Sequence, residues 1–466
     1  MGLGGIWMKL NKYIGDKKFY KMVLLIAIPI MVQNGITNFV SMLDNIMVGQ
    51  IGTDQMSGVA IVNQLIFVFN LCIFGGISGI GIFGAQFWGK KDFKGLRETF
   101  RLKIILCIIV ALVSIALFKV FDISLISLFL HEGSNSGDIA STLLFGKEYL
   151  SIMLIGLIPF AIMQAYSSTL RETGETILPM KAGIVAVFVN LILNYILIFG
   201  KFGVQSFGVN GAAIATVISR FVECIIVVAW SHVHKEKNVF LKGVYSNFTV
   251  SKKLIKQVTI KGAPLMINEV LWSAGMSALV QCYSMRGLAV VAGINIASTI
   301  SNVFGVVYIA LGNAVAIIVG QILGAGKMEE AKDTDTKLIF FSVMSCICIG
   351  LIMIVIAPLF PKIYNTTSEV KDLARNFIII LAICMPLNAF TNASYFTLRS
   401  GGKTIVTFLF DSMFVWIINI PVAYLLVRFS SMNIMLIYFI CQSLEIIKCI
   451  IGYVLVKSGV WLQNLV

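Results

Sequence analysis

Asp44 stands in the stretch SMLDNIMVGQIG, directly after a run from Met22 to Leu43 that carries no charged residue. That run is long enough to cross a hydrocarbon core as a helix, and Asp44 continues it for one or two turns before a stop at Gln50–Gly52. A carboxylate at mid-bilayer costs roughly 2.5–3.5 kcal/mol, and less towards the interface. No cation lies within one helical turn of it in the sequence. Asp44 is therefore protonated, hydrated, bound to an ion or turned to the outer interface. Asn190 and Asn194, in NLILNYILIFG, are four apart and share a helix face. With a carboxylate they offer oxygens to a hard monovalent cation, or a polar cage to a proton; helix–helix hydrogen bonding is the plainer reading. Glu269, in GAPLMINEVLWSAG, lies about two turns into another apolar run, near Pro264. A structural hydrogen bond beside a proline kink would also explain it. Asp411, in FLFDSMFVW, has no cation nearby in sequence and is a reserve candidate for proton or substrate binding. Arg220 with Glu223, and Glu445 with Lys448, are three apart and read as pairs within one helix.

The elements that hold these residues are membrane helices. The chain has 466 residues, 58% hydrophobic and 12% charged, with a mean hydropathy of +0.93. A soluble domain is about a quarter charged. The apolar runs are too long for strands and lack period-two alternation, which excludes an outer-membrane barrel. About twelve spans are expected, near 22–50, 56–84, 104–121, 143–169, 177–199, 209–231, 262–285, 290–322, 338–360, 377–398, 404–427 and 433–456. No cleavable signal peptide is expected. The nine cysteines lie in apolar runs and read as small packing residues. The only histidines, His131, His232 and His234, lie outside the expected spans, so neither a catalytic cluster nor a metal site is expected. The chain reads as a non-enzyme.

The net charge of +14 is a topology signal. Alternate connections are basic: Lys90, Lys91, Lys94, Arg97 and Arg101 form one such group, and Lys252, Lys253, Lys256 and Lys261 another. The opposite connections are poor in Lys and Arg. The positive-inside rule then places both termini in the cytoplasm, and nucleic acid is not an expected partner.

The chain also repeats itself. A shift of 235 residues lays Pro29 on Pro264, Gln86 on Gln321 and Gly89 on Gly324. A shift of 228 lays Leu170-Arg171 on Leu398-Arg399, Gly174 on Gly402 and Arg220 on Lys448. Two six-span lobes starting on the same side make parallel repeats, a transporter arrangement. The expected divisions are a cytoplasmic tail 1–21, an N-lobe 22–231, a cytoplasmic linker 232–261, a C-lobe 262–456 and a tail 457–466. The scaffold is duplicated but its acids are not, since Asn34 falls opposite Glu269 and Leu279 opposite Asp44.

PIMVQNGITNFVSMLDNIMVGQIG, NLILNYILIFGKFGVQSFGVNGAAIAT, GAPLMINE and the paired SSTLRETGETILPM and FTLRSGGKTIVTF together resemble the multidrug and toxic compound extrusion (MATE) family, of the bacterial NorM/DinF-like kind. The resemblance covers essentially the whole chain. It implies an all-α fold of two six-helix lobes in a V. It implies export of organic, cationic or amphipathic compounds across the cytoplasmic membrane, driven by H⁺ or Na⁺, with no other cofactor and with the chain expected as a monomer. It implies that Asp44 is the ion-coupling carboxylate, that Asn190, Asn194 and more weakly Thr216 line its cavity, and that Glu269 is the second-lobe acid. Asn388, in MPLNAF, stands where the NorM-type branch carries an Asp, so a second cation site there is in doubt. The alternatives are a lipid-linked saccharide flippase of the same superfamily, which would want a basic cavity, and a channel-like or structural membrane protein.

Overall fold

The computed structural model describes residues 12–128, 139–247, 249–364 and 366–466; His131 and Ser134 lie outside them. All regular structure among the described residues is helical. Among the described residues, twelve helices are long and apolar enough to cross a membrane. They are α1 (Lys17–Gly49), α2 (Thr53–Lys90), α3 (Phe93–Val120), α4 (Ile139–Glu172), α5 (Ile177–Phe199), α6 (Gly208–Val233), α7 (Lys252–Ser284), α8 (Leu288–Gly324), α9 (Met328–Ile356), α10 (Ser368–Ser400), α11 (Thr404–Phe429) and α12 (Ile434–Lys457).

Several helices outrun their apolar cores. The apolar pattern places the ninth span from about 338, whereas α9 already begins at Met328; α7 begins at Lys252 rather than near 262. Hydropathy marks the part of a helix that sits in hydrocarbon. The backbone stays helical beyond it, because its hydrogen bonds are satisfied internally whatever the side chains are.

The repeat is visible in the backbone. α4 and α10 end in the same turn: Glu175 N donates to Leu170 O at 2.8 Å, and Lys403 N to Leu398 O at 3.0 Å. Gly174 (φ 91°) and Gly402 (φ 71°) hold the left-handed position in the two turns. α2 and α8 end alike, with Lys91 (φ 61°) matching Gly326 (φ 76°).

The chain divides into two compact units: Met1–Met31, Ala85–Asp92 and Val258–Val466 in one, Val32–Gly84 and Phe93–Gln257 in the other. The second of these has a core built around Val62, Phe69, Cys107, Leu150 and Ala161; the first around Ala297, Cys346, Phe377 and Ile437. All nine cysteines are free thiols. The segment between α6 and α7 is docked on its own unit. Arg101 on α3 donates to the carbonyls of Val244 (2.8 Å), Gly243 (3.0 Å) and Thr249 (3.2 Å), and Phe240 and Leu241 are buried. Its lysines 235, 237 and 242 are exposed.

α4 carries a 3-10 turn at Leu154–Gly156, and α11 is irregular over a longer stretch. Leu409–Met413 and Val415–Asn419 are π-helical. Pro421 follows at the start of the next regular stretch. A proline lacks the N–H that would bond back to residue 417 and crowds that carbonyl, and a widened turn relieves both. This places Asp411 in a distorted stretch of backbone.

Candidate functional site

In the unit that holds α5 and α6, four polar residues meet. α6 comes close to α5 because it carries Gly211 there: a Cβ on Gly211 would lie 2.7 Å from the carbonyl of Leu197. One turn further along α6 is Thr216. Asn190 and Asn194 on α5 are both buried, at 5% and 1% exposure. Asn194 Nδ2 donates to Asp44 Oδ1 on α1 at 2.7 Å and to Asn190 Oδ1 at 3.1 Å. Asn190 Nδ2 donates to Thr216 Oγ1 at 3.3 Å, and Thr216 Oγ1 to Ala212 O at 3.0 Å. The four residues expected to line one cavity therefore form one hydrogen-bonded chain across three helices.

The Asn190 amide has two settings. In the one just given, its Oδ1 lies 3.0 and 3.2 Å from the two oxygens of Asp44. Three acceptors that close need a proton or a cation between them. Turned over, the amide donates to both Asp44 oxygens and accepts from Thr216 Oγ1 at 3.3 Å. The turned-over setting satisfies both ends of the amide with Asp44 ionised, and the first setting needs a proton or a cation on Asp44. Asn194 Oδ1 is buried with no hydrogen-bond partner among the described residues.

In the other unit, Asn268 on α7 and Asp411 on α11 are joined: Asn268 Nδ2 donates to Asp411 Oδ2 at 3.1 Å and to Tyr395 OH at 3.5 Å. Ser412 Oγ donates to Asn268 Oδ1 at 2.6 Å. The expectation that Asp411 lacks a nearby cation is overturned. Lys448 Nζ on α12 lies 3.4 Å from Asp411 Oδ1 and 3.4 Å from Glu445 Oε1. The cation is 37 residues further along, so a reading of same-helix neighbours could not find it. Lys448 is thus more than the partner of Glu445 that the three-residue spacing suggested.

Glu269 is half-buried, and among the described residues no hydrogen bond or ion pair ties it to Asp411 or Asn388. Asn388 is also half-buried, and its carbonyl accepts from Thr391 Oγ1 at 3.1 Å. The expected Arg220–Glu223 pair does not form among the described residues. The Arg220 guanidinium instead lies over the Phe160 ring, 5.1 Å from its centroid. The π face adds partial charge while Glu223 acts on the guanidinium from beyond salt-bridge distance. His232 and His234 do not converge: His232 Nε2 is 3.1 Å from Tyr166 OH, while His234 Nδ1 is 3.0 Å from Trp230 O.

A third polar cluster escaped the sequence reading altogether. Lys103 on α3 is fully buried and donates to Glu172 at 2.6 Å, and to Ser168 Oγ and Thr169 Oγ1 at 3.1 Å each. Gly84 makes room for it, since a Cβ there would lie 2.1 Å from Glu172 Oε2. The signal was present in RLKIILCII, where one lysine begins an uncharged run.

A family model described as MatE matches residues 29–196 and 264–425, more than half of the chain. The two blocks begin 235 residues apart, at the repeat spacing. The probable multidrug resistance protein NorM of Thermotoga maritima is 26% identical over 415 residues, covering 89% of this chain and 87% of that protein. A protein of the same description from Oceanobacillus iheyensis is 25% identical over 418 residues, covering 89% and 91%. Among solved structures, an outward-facing multidrug resistance MATE family transporter superposes with a TM-score of 0.85 at 18% identity, over 97% of each chain.

Proposed function

We propose that this chain, which belongs to the MatE family of membrane transporters, is a monomeric antiporter of the cytoplasmic membrane that exports organic, cationic or amphipathic compounds in exchange for protons, with Asp44 as the coupling carboxylate. The observation that carries this reading is the hydrogen-bonded cluster that ties Asp44 on α1 to Asn194 and Asn190 on α5 and to Thr216 on α6. With Asp44 ionised, the Asn190 amide turned towards it donates to both carboxylate oxygens. A proton on Asp44 makes the carboxyl a donor, and the amide turns to present Oδ1 instead. The two protonation states thus hold α1 on α5 through different hydrogen bonds, and in this reading that difference separates the two transport states. An antiporter needs such a difference, with the ion and the cargo favouring different states. Glu269 and Asp411 serve as acidic groups of the second lobe, and Asn388 in place of an acid leaves that lobe with less charge for an ion.

Sodium could use the same oxygens, but it needs several ligands converging at once. One carboxylate with neutral oxygens suits the proton better. The flippase alternative wants an uncompensated basic cavity. Lys448 is bracketed by Asp411 and Glu445, which disfavours a pyrophosphate there. The multidrug resistance names of the relatives favour an organic cargo.

Transport by the purified chain in sealed vesicles tests this. Cargo is expected to accumulate against its own gradient while an ion gradient is held, and to stop when an ionophore collapses it. Movement that only runs downhill, indifferent to the ionophore, would mean a passive pore.

The proposed orientation has its own test. Single cysteines introduced at Lys94 and Asn247 should be blocked only by thiol reagents that reach the cytoplasm, and one at Ser134 should react from outside. The reverse labelling would invert the topology.

A further inference from the structure

Lys448 is held as a bound cation would be. Its ammonium has Asp411 Oδ1 and Glu445 Oε1 each at 3.4 Å, and the ring centroids of Phe410 and Phe414 at 5.6 and 5.8 Å. Two carboxylates and two aromatic faces are the groups that recognise an organic ammonium. The side chain of Lys448 is 7% exposed, while those of Asp411 and Glu445 are 21% and 14% exposed, so the acids retain an approach that the lysine lacks. The charges do not cancel. Two carboxylates face one ammonium, which leaves one negative charge. Glu445 Oε2 is buried without a hydrogen-bond partner among the described residues, an acceptor with unused capacity. Asn268 fixes the other oxygen of Asp411 at 3.1 Å, so this acid is oriented independently of the lysine. The π-helical turn of Leu409–Met413 places Phe410 and Asp411 on the same distorted stretch, of a kind that recurs at functional sites.

We propose that this cage is a cargo site of the C-terminal half and that Lys448 is its built-in competitor, a tethered cation that sets the charge of the cargo accepted. With Lys448 in place, the cage carries one net negative charge and takes an aromatic monocation, which displaces the ammonium from Asp411 and takes its place beside Phe410 and Phe414, each 6% exposed while the lysine occupies the cage. A dication is disfavoured because the ammonium stays near. The inference rests on the reading of the chain as an exporter of organic compounds. It assigns a place and a charge rule that the coupling role of Asp44 does not.

The test is equilibrium binding to the full chain in lipid nanodiscs, with no ion gradient. Tetraphenylphosphonium serves as the monocation and 1,1′-dimethyl-4,4′-bipyridinium as the dication. Wild-type protein is expected to prefer the monocation. Lys448→Gln removes the competitor and should tighten both, the dication by roughly tenfold or more and by the larger factor, because its second charge no longer meets a neighbouring ammonium. Glu445→Gln keeps the shape and lowers the charge, and should weaken the monocation by about fivefold or more. Phe414→Leu should weaken the monocation by about threefold to tenfold with all charges intact, which keeps the proposal testable if Lys448→Gln does not fold. Unchanged or weaker binding by Lys448→Gln, unchanged monocation binding by Glu445→Gln and Phe414→Leu, or no binding of either probe would each overturn it. Because binding is read without a gradient, failure of proton coupling leaves these outcomes intact. Gradient-driven export that is indifferent to all three substitutions would overturn the charge rule alone.

Discussion

Asp44→Asn is expected to abolish gradient-driven export while leaving the protein folded and inserted. Asn keeps the shape and can still accept from Asn194 Nδ2, which reaches Asp44 Oδ1 at 2.7 Å. It cannot take up and release a proton. Removing a carboxylate from a membrane helix eases insertion, by up to roughly 2.5–3.5 kcal/mol at mid-bilayer. Lost transport therefore cannot be assigned to misfolding, and the yield and thermal unfolding of the purified variant should equal or exceed those of wild type. Gradient-dependent export at the wild-type rate by this variant would remove Asp44 from the coupling role.

The second large effect is on stability. Lys103→Ala should destabilise the protein by about 3–5 kcal/mol, because it leaves the buried Glu172 without its cation. Glu172 is 2.6 Å from the ammonium and sits against Gly81 and Gly84, where water has little room. The double variant Lys103→Met with Glu172→Met should recover much of the loss, since a buried pair replaced by apolar groups is often nearly neutral. Thermal unfolding in detergent, wild type against single and double variants, measures both. A single variant as stable as wild type would mean that the other partners of Glu172, Ser168 Oγ at 2.7 Å among them, hold its charge without the lysine.

What the sequence disclosed and what it hid divide along helix boundaries. Asp44, Asn190 and Asn194 were legible because each is costly in a membrane, and because a four-residue spacing fixes two of them on one face. Their meeting with Thr216 required the α5–α6 packing; the family resemblance supplied it in advance, while spacing alone did not. Asp411 looked isolated because its partners, Asn268 and Lys448, come from α7 and α12. Lys448 was assigned to Glu445 alone because periodicity reports neighbours on one helix. Arg220 and Glu223 have the right spacing and act on each other electrostatically, but make no ion pair within 4 Å among the described residues. The repeat was legible as matched glycines, and it returns in the structure as matched turns at Gly174 and Gly402. The π-helical stretch of α11 was hidden, since one proline signals a disturbance but not how the preceding turns absorb it.

The central claim is that a proton on Asp44 drives export through its contact with Asn190. The measurement that tests it most directly is cargo movement in sodium-free vesicles under an inward proton gradient alone, with wild type and Asn190→Ala side by side. Wild type is expected to transport under these conditions. Asn190→Ala is expected still to transport with a displaced pH optimum, because the amide orders the proton site without carrying the proton. Transport that demands sodium and ignores the proton gradient, with a sharply raised sodium requirement in Asn190→Ala, would contradict the claim and make these asparagines sodium ligands.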